Sequence, residues 1–283
     1  MIPQPIKTWL AENEFGGITS THAVGGGCIN NGMIIKMDSG TSFFLKTNRS
    51  TPQDMFAREV EGLHALKVED GPTVPESYLH GEDFILMEDL TPAPPHTDYW
   101  PEFGRRLAAL HNYTNDQFGF THDNYIGSTP QPNPWTGDGY AFFGEHRISY
   151  MTRLAQQRGL MAAEDVQRAE RLVTQLPDLI PEQPASLIHG DLWSGNATSD
   201  SRGAPAIIDP AAHYGWTEAE LAMTTLFGSF PETFYRAYQE VRPLEPGYRS
   251  RFPIYNLYHL LNHLNLFGHS YLGQVQSILR RFV

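Results

Sequence analysis

Short strand-like runs and one helical segment occupy the first ninety positions of the chain, and beyond them apolar residues recur mainly at helical spacing. The β-branched run from Ile18 to Val24 reads as a strand. It ends in Gly25-Gly26-Gly27-Cys28-Ile29-Asn30-Asn31-Gly32, after which Met33 to Met37 reads as a second strand. Asp38-Ser39-Gly40 is a hairpin turn leading into a third strand, Thr41 to Lys46. Thr51-Pro52 predicts an N-cap and first residue for a helix in which Phe56, Val60, Leu63 and Lys67 share a face. Two more strands, Glu76 to His80 and Phe84 to Met87, follow the Gly71-Pro72 and Val74-Pro75 breaks. Thr91-Pro92-Ala93-Pro94-Pro95 then reads as a linker, placing a lobe boundary near 88–95.

Beyond the linker, helices are predicted over Glu102 to Asn112, Phe142 to Arg158, Ala163 to Leu176, Thr217 to Phe227, Glu232 to Glu240 and from Pro253 onward. Phe118 to Tyr140 shows no periodicity and is rich in Gly, Pro, Asn and Asp, the composition of a functional loop. Two short strands, Ser186 to His189 and Ala206 to Asp209, flank a polar segment. The expected architecture is α+β and two-lobed: a small antiparallel sheet with one helix over residues 1–90, and a larger helical lobe over residues 91–283.

Composition narrows the partners. Twenty basic against 32 acidic side chains give a formal charge of −12, so nucleic acid and anionic membrane are poor partners. Neither an export signal nor an apolar run long enough for a membrane span is evident. Cys28 is the only cysteine, which fits a reducing compartment, with the cytosol as the expectation.

The densest chemistry lies in His189-Gly190-Asp191-Leu192-Trp193-Ser194-Gly195-Asn196, followed by Ile207-Ile208-Asp209-Pro210. A hydroxyl attacking a nucleotide γ-phosphate needs a carboxylate beside it and oxygen ligands that hold Mg²⁺ against the phosphates. Asp191 is the candidate base, and Asn196 and Asp209 are the candidate metal ligands. The five-residue interval from Asp191 to Asn196 is that of the protein-kinase catalytic loop, and Asp209 follows a short apolar strand as the kinase metal-binding Asp does.

The first lobe supplies partners for this segment. Lys46 ends a strand in which Phe43 and Leu45 take the other face, so its ammonium is a candidate for the α- and β-phosphates. Glu59 sits beside the apolar face of its helix, where pairing with Lys46 would satisfy both charges. Gly25, Gly26 and Gly27 let backbone N–H groups approach phosphate, although no Gly-Lys-Ser/Thr follows them. Met87, Glu88, Asp89 and Leu90 are the candidate hinge whose backbone would meet adenine. Cys28 reads either as a small buried side chain or as a thiol whose oxidation would alter the glycine loop. His259 and His263, four apart on one helix, read as packing residues.

Across nearly the whole chain these motifs resemble the fructosamine kinase (ketosamine-3-kinase) family, within the protein-kinase-like group that includes aminoglycoside phosphotransferases and choline kinases. The resemblance rests on Phe43 to Lys46, Gly104 to His111, Phe118-Gly119-Phe120 with Asp123-Asn124, His189 to Asn196, Asp209-Pro210-Ala211, Leu221-Ala222-Met223 and Asn262-His263 with Leu266-Phe267-Gly268. It implies ATP- and Mg²⁺-dependent phosphorylation of the sugar 3-hydroxyl of a ketosamine, a small molecule or a glycated protein lysine, after which the adduct falls apart and the amine is freed. The enzyme would be a monomer or homodimer. Trp193 would lay its aromatic face on the sugar. The rivals are kinases of another alcohol, such as an aminoglycoside or choline-like substrate, and a nucleotide-binding pseudokinase scaffold.

One departure stands out. Where the family commonly carries Gly-Asp-Arg-Glu-x-Asp-Leu-Ala-Met, this chain has Gly215-Trp216-Thr217-Glu218-Ala219-Glu220-Leu221-Ala222-Met223. Glu220 replaces an Asp that braces the catalytic loop in kinase-like folds. Thr217 and Glu220 also spell a capping box, a purely local alternative.

Overall fold

Strands β1 (Ile18–Val24), β2 (Asn31–Met37), β3 (Ser42–Thr47), β4 (Ser77–Gly81) and β5 (Phe84–Glu88) form an antiparallel sheet in the order β1-β2-β3-β5-β4. The computed structural model describes residues 2–25 and 31–283. Strand alternation sends Phe43 and Leu45 to one face and Phe44 and Lys46 to the other. The Phe43 face is covered by α1 (Gln4–Glu12), whose Ile6 and Leu10 join Ile35, Phe43, Leu45 and Leu86 in a separate small core. The sequence pattern did not announce this helix: it spans little more than two turns and carries only two buried residues.

The opposite face packs on α2 (Met55–Leu66), where Phe56, Val60 and Leu63 meet Ile85 and Met87. This helix begins after Asp54, so Thr51-Pro52 lies in the preceding turn rather than at the cap. Its amphipathic face is the expected one.

After the proline-rich connection come α3 (Tyr99–His111), β6 (Thr114–Asn115) and a hairpin of β7 (Asn124–Ile126) and β8 (Thr129–Gln131). The segment predicted to be an aperiodic loop therefore contains a short sheet. Next are α4 (Gly139–Phe143), a π-helical turn Gly144–Ser149 and α5 (Tyr150–Gln157), one run interrupted by a change of pitch. They lead to α6 (Ala163–Leu179) and then β9 (Ala185–Ile188). β10 (Ala197–Ser199) pairs with β11 (Pro205–Ile207), and β12 (His213–Gly215) pairs with β9.

The chain closes with α7 (Thr217–Met223), α8 (Glu232–Val241), α9 (Tyr248–Phe267), a 3-10 turn His269–Tyr271 and α10 (Leu272–Phe282). α7 stops at Met223, short of the Phe227 expected. α9 starts five residues before Pro253, which is accommodated inside it. A continuous apolar core runs from α2 through α3, α6 and α7 to α9. Among the described residues no helix is long and apolar enough to cross a membrane.

Candidate active site

Buried strand β9 leads into His189, Gly190 and Asp191, and Asp191 lines the cleft. Gly190 has φ +83°, and a Cβ there would fall 2.2 Å from the Ala211 carbonyl, so the turn tolerates only glycine. His189 Nε2–H donates to the Ile208 carbonyl (2.8 Å), leaving Nδ1 to accept the Asp191 N–H (3.3 Å). Burial keeps this imidazole neutral by lowering its pKa.

The question of Glu220 is answered by its contacts. Its Oε2 accepts the His189 N–H and its Oε1 accepts the Gly190 N–H, both at 2.8 Å. The capping box does not form, because Trp216 occupies the cap position of α7 and makes no side-chain cap. Glu220 Oε2 also takes a hydrogen bond from His111 Nε2 (3.1 Å), while His111 Nδ1 accepts from Tyr238 Oη (2.8 Å). A carboxylate can only accept, which fixes this tautomer. Burial alone would raise the Glu220 pKa, yet His111 and the backbone donors outweigh it and hold the group below the usual carboxylate range. His111 was visible in sequence only as the end of a family-like stretch. Its partnership with Glu220 joins residues 109 apart, which no local pattern encodes.

Asn196 folds back on the same loop. Its Nδ2 donates to the Asp191 carbonyl (2.8 Å) and reaches Asp191 Oδ2 at 3.3 Å. Burial, and then the charge of Asp209, raise the Asp191 pKa well above its ordinary value. Asp209 follows β11 with φ +58°, a left-handed conformation unusual for a residue with a Cβ.

Lys46 lies between two carboxylates, with Nζ 2.7 Å from Glu59 Oε1 and 2.5 Å from Asp209 Oδ1. Burial would lower its pKa, but Asp209 and Glu59 prevail and raise it, so the ammonium stays charged. The expected Lys46–Glu59 pair is thus formed, and Asp209 joins it.

These groups line a cleft of about 910 Å³ between sheet and helices. Gly25, Met87, Glu88, Asp89 and Leu90 line it on the sheet side. Gly26, Gly27 and Cys28 lie outside the described residues. On the helical side Trp193 stands edge-on to Phe227 (6.1 Å), which packs against His263 (4.5 Å). His263 in turn contacts Phe267 and Tyr271. The indole of Trp193 lies over Gly195, where a Cβ would sit 2.3 Å from the ring. Ser194 Oγ donates to the Phe227 carbonyl (2.7 Å), tying this aromatic wall to the catalytic loop. His259 is buried as expected of a packing residue, whereas His263 also borders the cleft.

The arrangement is that of a phosphotransferase, and comparison with known proteins agrees. The fructosamine kinase family model matches residues 2–283. A probable ketoamine kinase of Synechocystis is 42% identical over 269 residues, covering 93% of this chain and 90% of that protein. The chloroplastic protein-ribulosamine 3-kinase of Arabidopsis thaliana is 41% identical over 291 residues, covering 99% and 87%. A solved structure from Thermobifida fusca, described as a fructosamine-3-kinase, superposes with a TM-score of 0.86 at 32% identity, covering 94% of this chain and 93% of that one. The two-lobed fold is protein-kinase-like, as expected from the sequence. With the whole chain matched and the phosphotransfer groups gathered in one cleft, the chain belongs to the fructosamine kinase family.

Proposed function

We propose that this kinase transfers the γ-phosphoryl group of ATP to the sugar 3-hydroxyl of a ketosamine, as the names of its relatives support. The observation that carries the reading is the meeting of Lys46, Glu59 and Asp209 with the Asp191–Asn196 loop in one cleft. Residues 1–90 would form the nucleotide lobe and 91–283 the catalytic and acceptor lobe. Their division falls in the connection after β5.

The donor set suits Mg²⁺. Asn196 Nδ2 is spent on the Asp191 carbonyl, which leaves its Oδ1 for a cation, and Asp209 offers a carboxylate. Among the described residues no cluster of three or more His, Cys, Asp or Glu forms a metal cage. That fits an ion completing its shell with phosphate oxygens and water. When bound, the ion would neutralise charge on the β- and γ-phosphates.

Lys46, oriented by Glu59, would bind the α- and β-phosphates, with the 25–27 glycines above them and adenine against Met87 to Leu90. Asp191 would accept the hydroxyl proton as the sugar oxygen bonds to phosphorus and ADP leaves. The raised pKa of Asp191 makes it a better proton acceptor than an ordinary carboxylate. Trp193 would present its ring to the sugar's C–H face. The amine portion would be a free amino acid or a protein lysine. The lone cysteine supports a reducing compartment, which we take to be the cytosol.

Phosphate transfer from Mg·ATP to fructoselysine, ribulose-lysine, erythrulose-lysine, an aminoglycoside, choline and free fructose tests the reading, with Asp191→Asn as the blank. Turnover of one or more ketosamines, phosphorylated at the third carbon, is expected. Turnover of another alcohol alone would move the substrate, and silence on all six despite nucleotide binding would point to a scaffold.

A further inference from the structure

Adjacent residues of one short strand reach opposite parts of the nucleotide site. Successive side chains of a strand point to opposite sides, and β7 uses both. On one side Asn124 Nδ2 donates to the Ala212 carbonyl (2.8 Å), and from β8 Gln131 Nε2 donates to the Ala211 carbonyl (3.1 Å). These two carbonyls belong to the backbone that follows Asp209 and Pro210. On the other side Tyr125 Oη donates to Asp54 Oδ1 (2.7 Å) at the start of α2, the helix that carries Glu59. His122 Nδ1 adds a contact to Glu61 Oε2 of the same helix (3.1 Å).

The buried half of this contact is fixed from behind. Asn124 Oδ1 accepts from Gln131 Nε2 (2.7 Å) and from Asn133 Nδ2 (2.9 Å). Tyr258 Oη donates to Gln131 Oε1 (2.6 Å), and Arg147 Nη2 donates to Asn133 Oδ1 (2.6 Å). Asn124, Gln131 and Asn133 are all nearly inaccessible to solvent. Burying three carboxamides is unfavourable unless every group is paired, and pairing them in series leaves one arrangement with low energy. α2 also runs close to the side chains of the same segment: a Cβ at Gly62 would lie 3.3 Å from Pro210 Cγ and 3.4 Å from Ala212 Cβ. Asp209 itself is left-handed, a conformation that persists only where its surroundings impose it.

We propose that the β7–β8 hairpin is a built-in brace that holds the Glu59 helix and the Asp209 loop in register, with Asn124 and Tyr125 as positioning residues. Asn124 acts through the 211–212 backbone on Asp209, and Tyr125 acts through α2 on Glu59 and Lys46. The assignment rests on the phosphate and metal roles proposed for those residues.

The test compares wild type, Asn124→Ala and Tyr125→Phe by calorimetry of a non-hydrolysable ATP analogue with and without Mg²⁺, and by hydrogen exchange along α2. In Asn124→Ala the gain in nucleotide affinity on adding Mg²⁺ should shrink about tenfold, the scale of one lost buried hydrogen bond, while metal-free affinity holds within about twofold. In Tyr125→Phe, α2 amides should exchange about three- to tenfold faster. A merely structural role would lower the melting temperature and leave the Mg²⁺ gain unchanged. Folded variants with wild-type Mg²⁺ gain and wild-type α2 exchange overturn the proposal. If Asn124→Ala does not fold, Tyr125→Phe decides alone, because it removes one hydroxyl at a partly exposed site. If the wild type itself shows no Mg²⁺ gain, the metal role of Asp209 fails, and α2 exchange still judges the brace.

Discussion

Lys46 Nζ lies 2.5 Å from Asp209 Oδ1, so the cation proposed for phosphate and the carboxylate proposed for metal are partners in this structure. In those proposed roles, nucleotide and metal would exchange that ion pair for two new ones, with Lys46 turning to phosphate. Asp209→Ala should therefore abolish the Mg²⁺-dependent part of nucleotide affinity, whereas Lys46→Met should weaken nucleotide binding with or without metal. Calorimetry separates the two, and the same Mg²⁺ gain in Asp209→Ala as in wild type would remove Asp209 from the metal site.

Asp191→Asn keeps the size of the side chain and removes the proposed base. Turnover should fall by about 10²–10⁴ while nucleotide affinity changes little. Single-turnover phosphate transfer is the direct measurement, and a rate within twofold of wild type would dismiss Asp191 from the role.

Glu220 accepts three hydrogen bonds in full burial, and two come from the backbone that positions Asp191. Glu220→Gln replaces one acceptor with a donor facing other donors, so stability should drop by about 2–3 kcal/mol. Turnover should fall beyond what partial unfolding explains. Glu220→Asp keeps the charge but shortens the reach by one methylene, and it should also destabilise although the family commonly has Asp there. Denaturant melts alongside kcat check both.

His111, His189, His213 and His259 are all buried with lowered pKa, chiefly from burial, and His259 falls to about 3. The unfolded chain takes up protons at these positions below about pH 6.5, whereas the folded chain does so only at lower pH, which for His259 is about 3. Their contribution is therefore fully present above about pH 6.5 and is lost as pH falls, which for His259 amounts to about 1.4 kcal/mol per pH unit between about 6 and 4. Chemical melts between pH 8 and 5 should show His259→Gln with a shallower acid slope than wild type by about that amount. Parallel slopes would contradict the neutral, buried His259.

Trp193 and Phe227 face the cleft edge to face. Trp193→Ala should raise KM for a ketosamine about tenfold and leave KM for ATP nearly unchanged, the scale expected when an aromatic surface is lost. Equal effects on both substrates would place the indole in loop packing instead.

Much of this site could be read from the chain, because its chemistry is local. Asp191, Asn196 and Asp209 sit on one short stretch, and strand alternation alone placed Lys46 opposite Phe43 and Leu45. What escaped is long-range. The bond from His111 to Glu220, and those from Asn124 to the Ala212 carbonyl and from Tyr125 to Asp54 at the start of α2, join residues tens of positions apart. The β7–β8 hairpin has strands of three residues each, too short for a period to show. α1 was hidden for a related reason: a nine-residue helix with Pro3 at its N-cap and Pro5 in its first turn leaves little pattern. The capping-box reading of Thr217 and Glu220 failed because a buried tertiary partner outbid a local one.

The bond from Ser194 Oγ to the Phe227 carbonyl sets a limit on how this enzyme could change its diet. Ser194 is three residues from Asp191, and Phe227 is part of the wall the acceptor would meet. Selection or engineering that reshapes this wall for a different amine would pull on the loop carrying the base. Variants with altered preference should then arise with slower chemistry first and recover it only through second changes within 193–196 or 224–230, so that specificity and rate are inherited together.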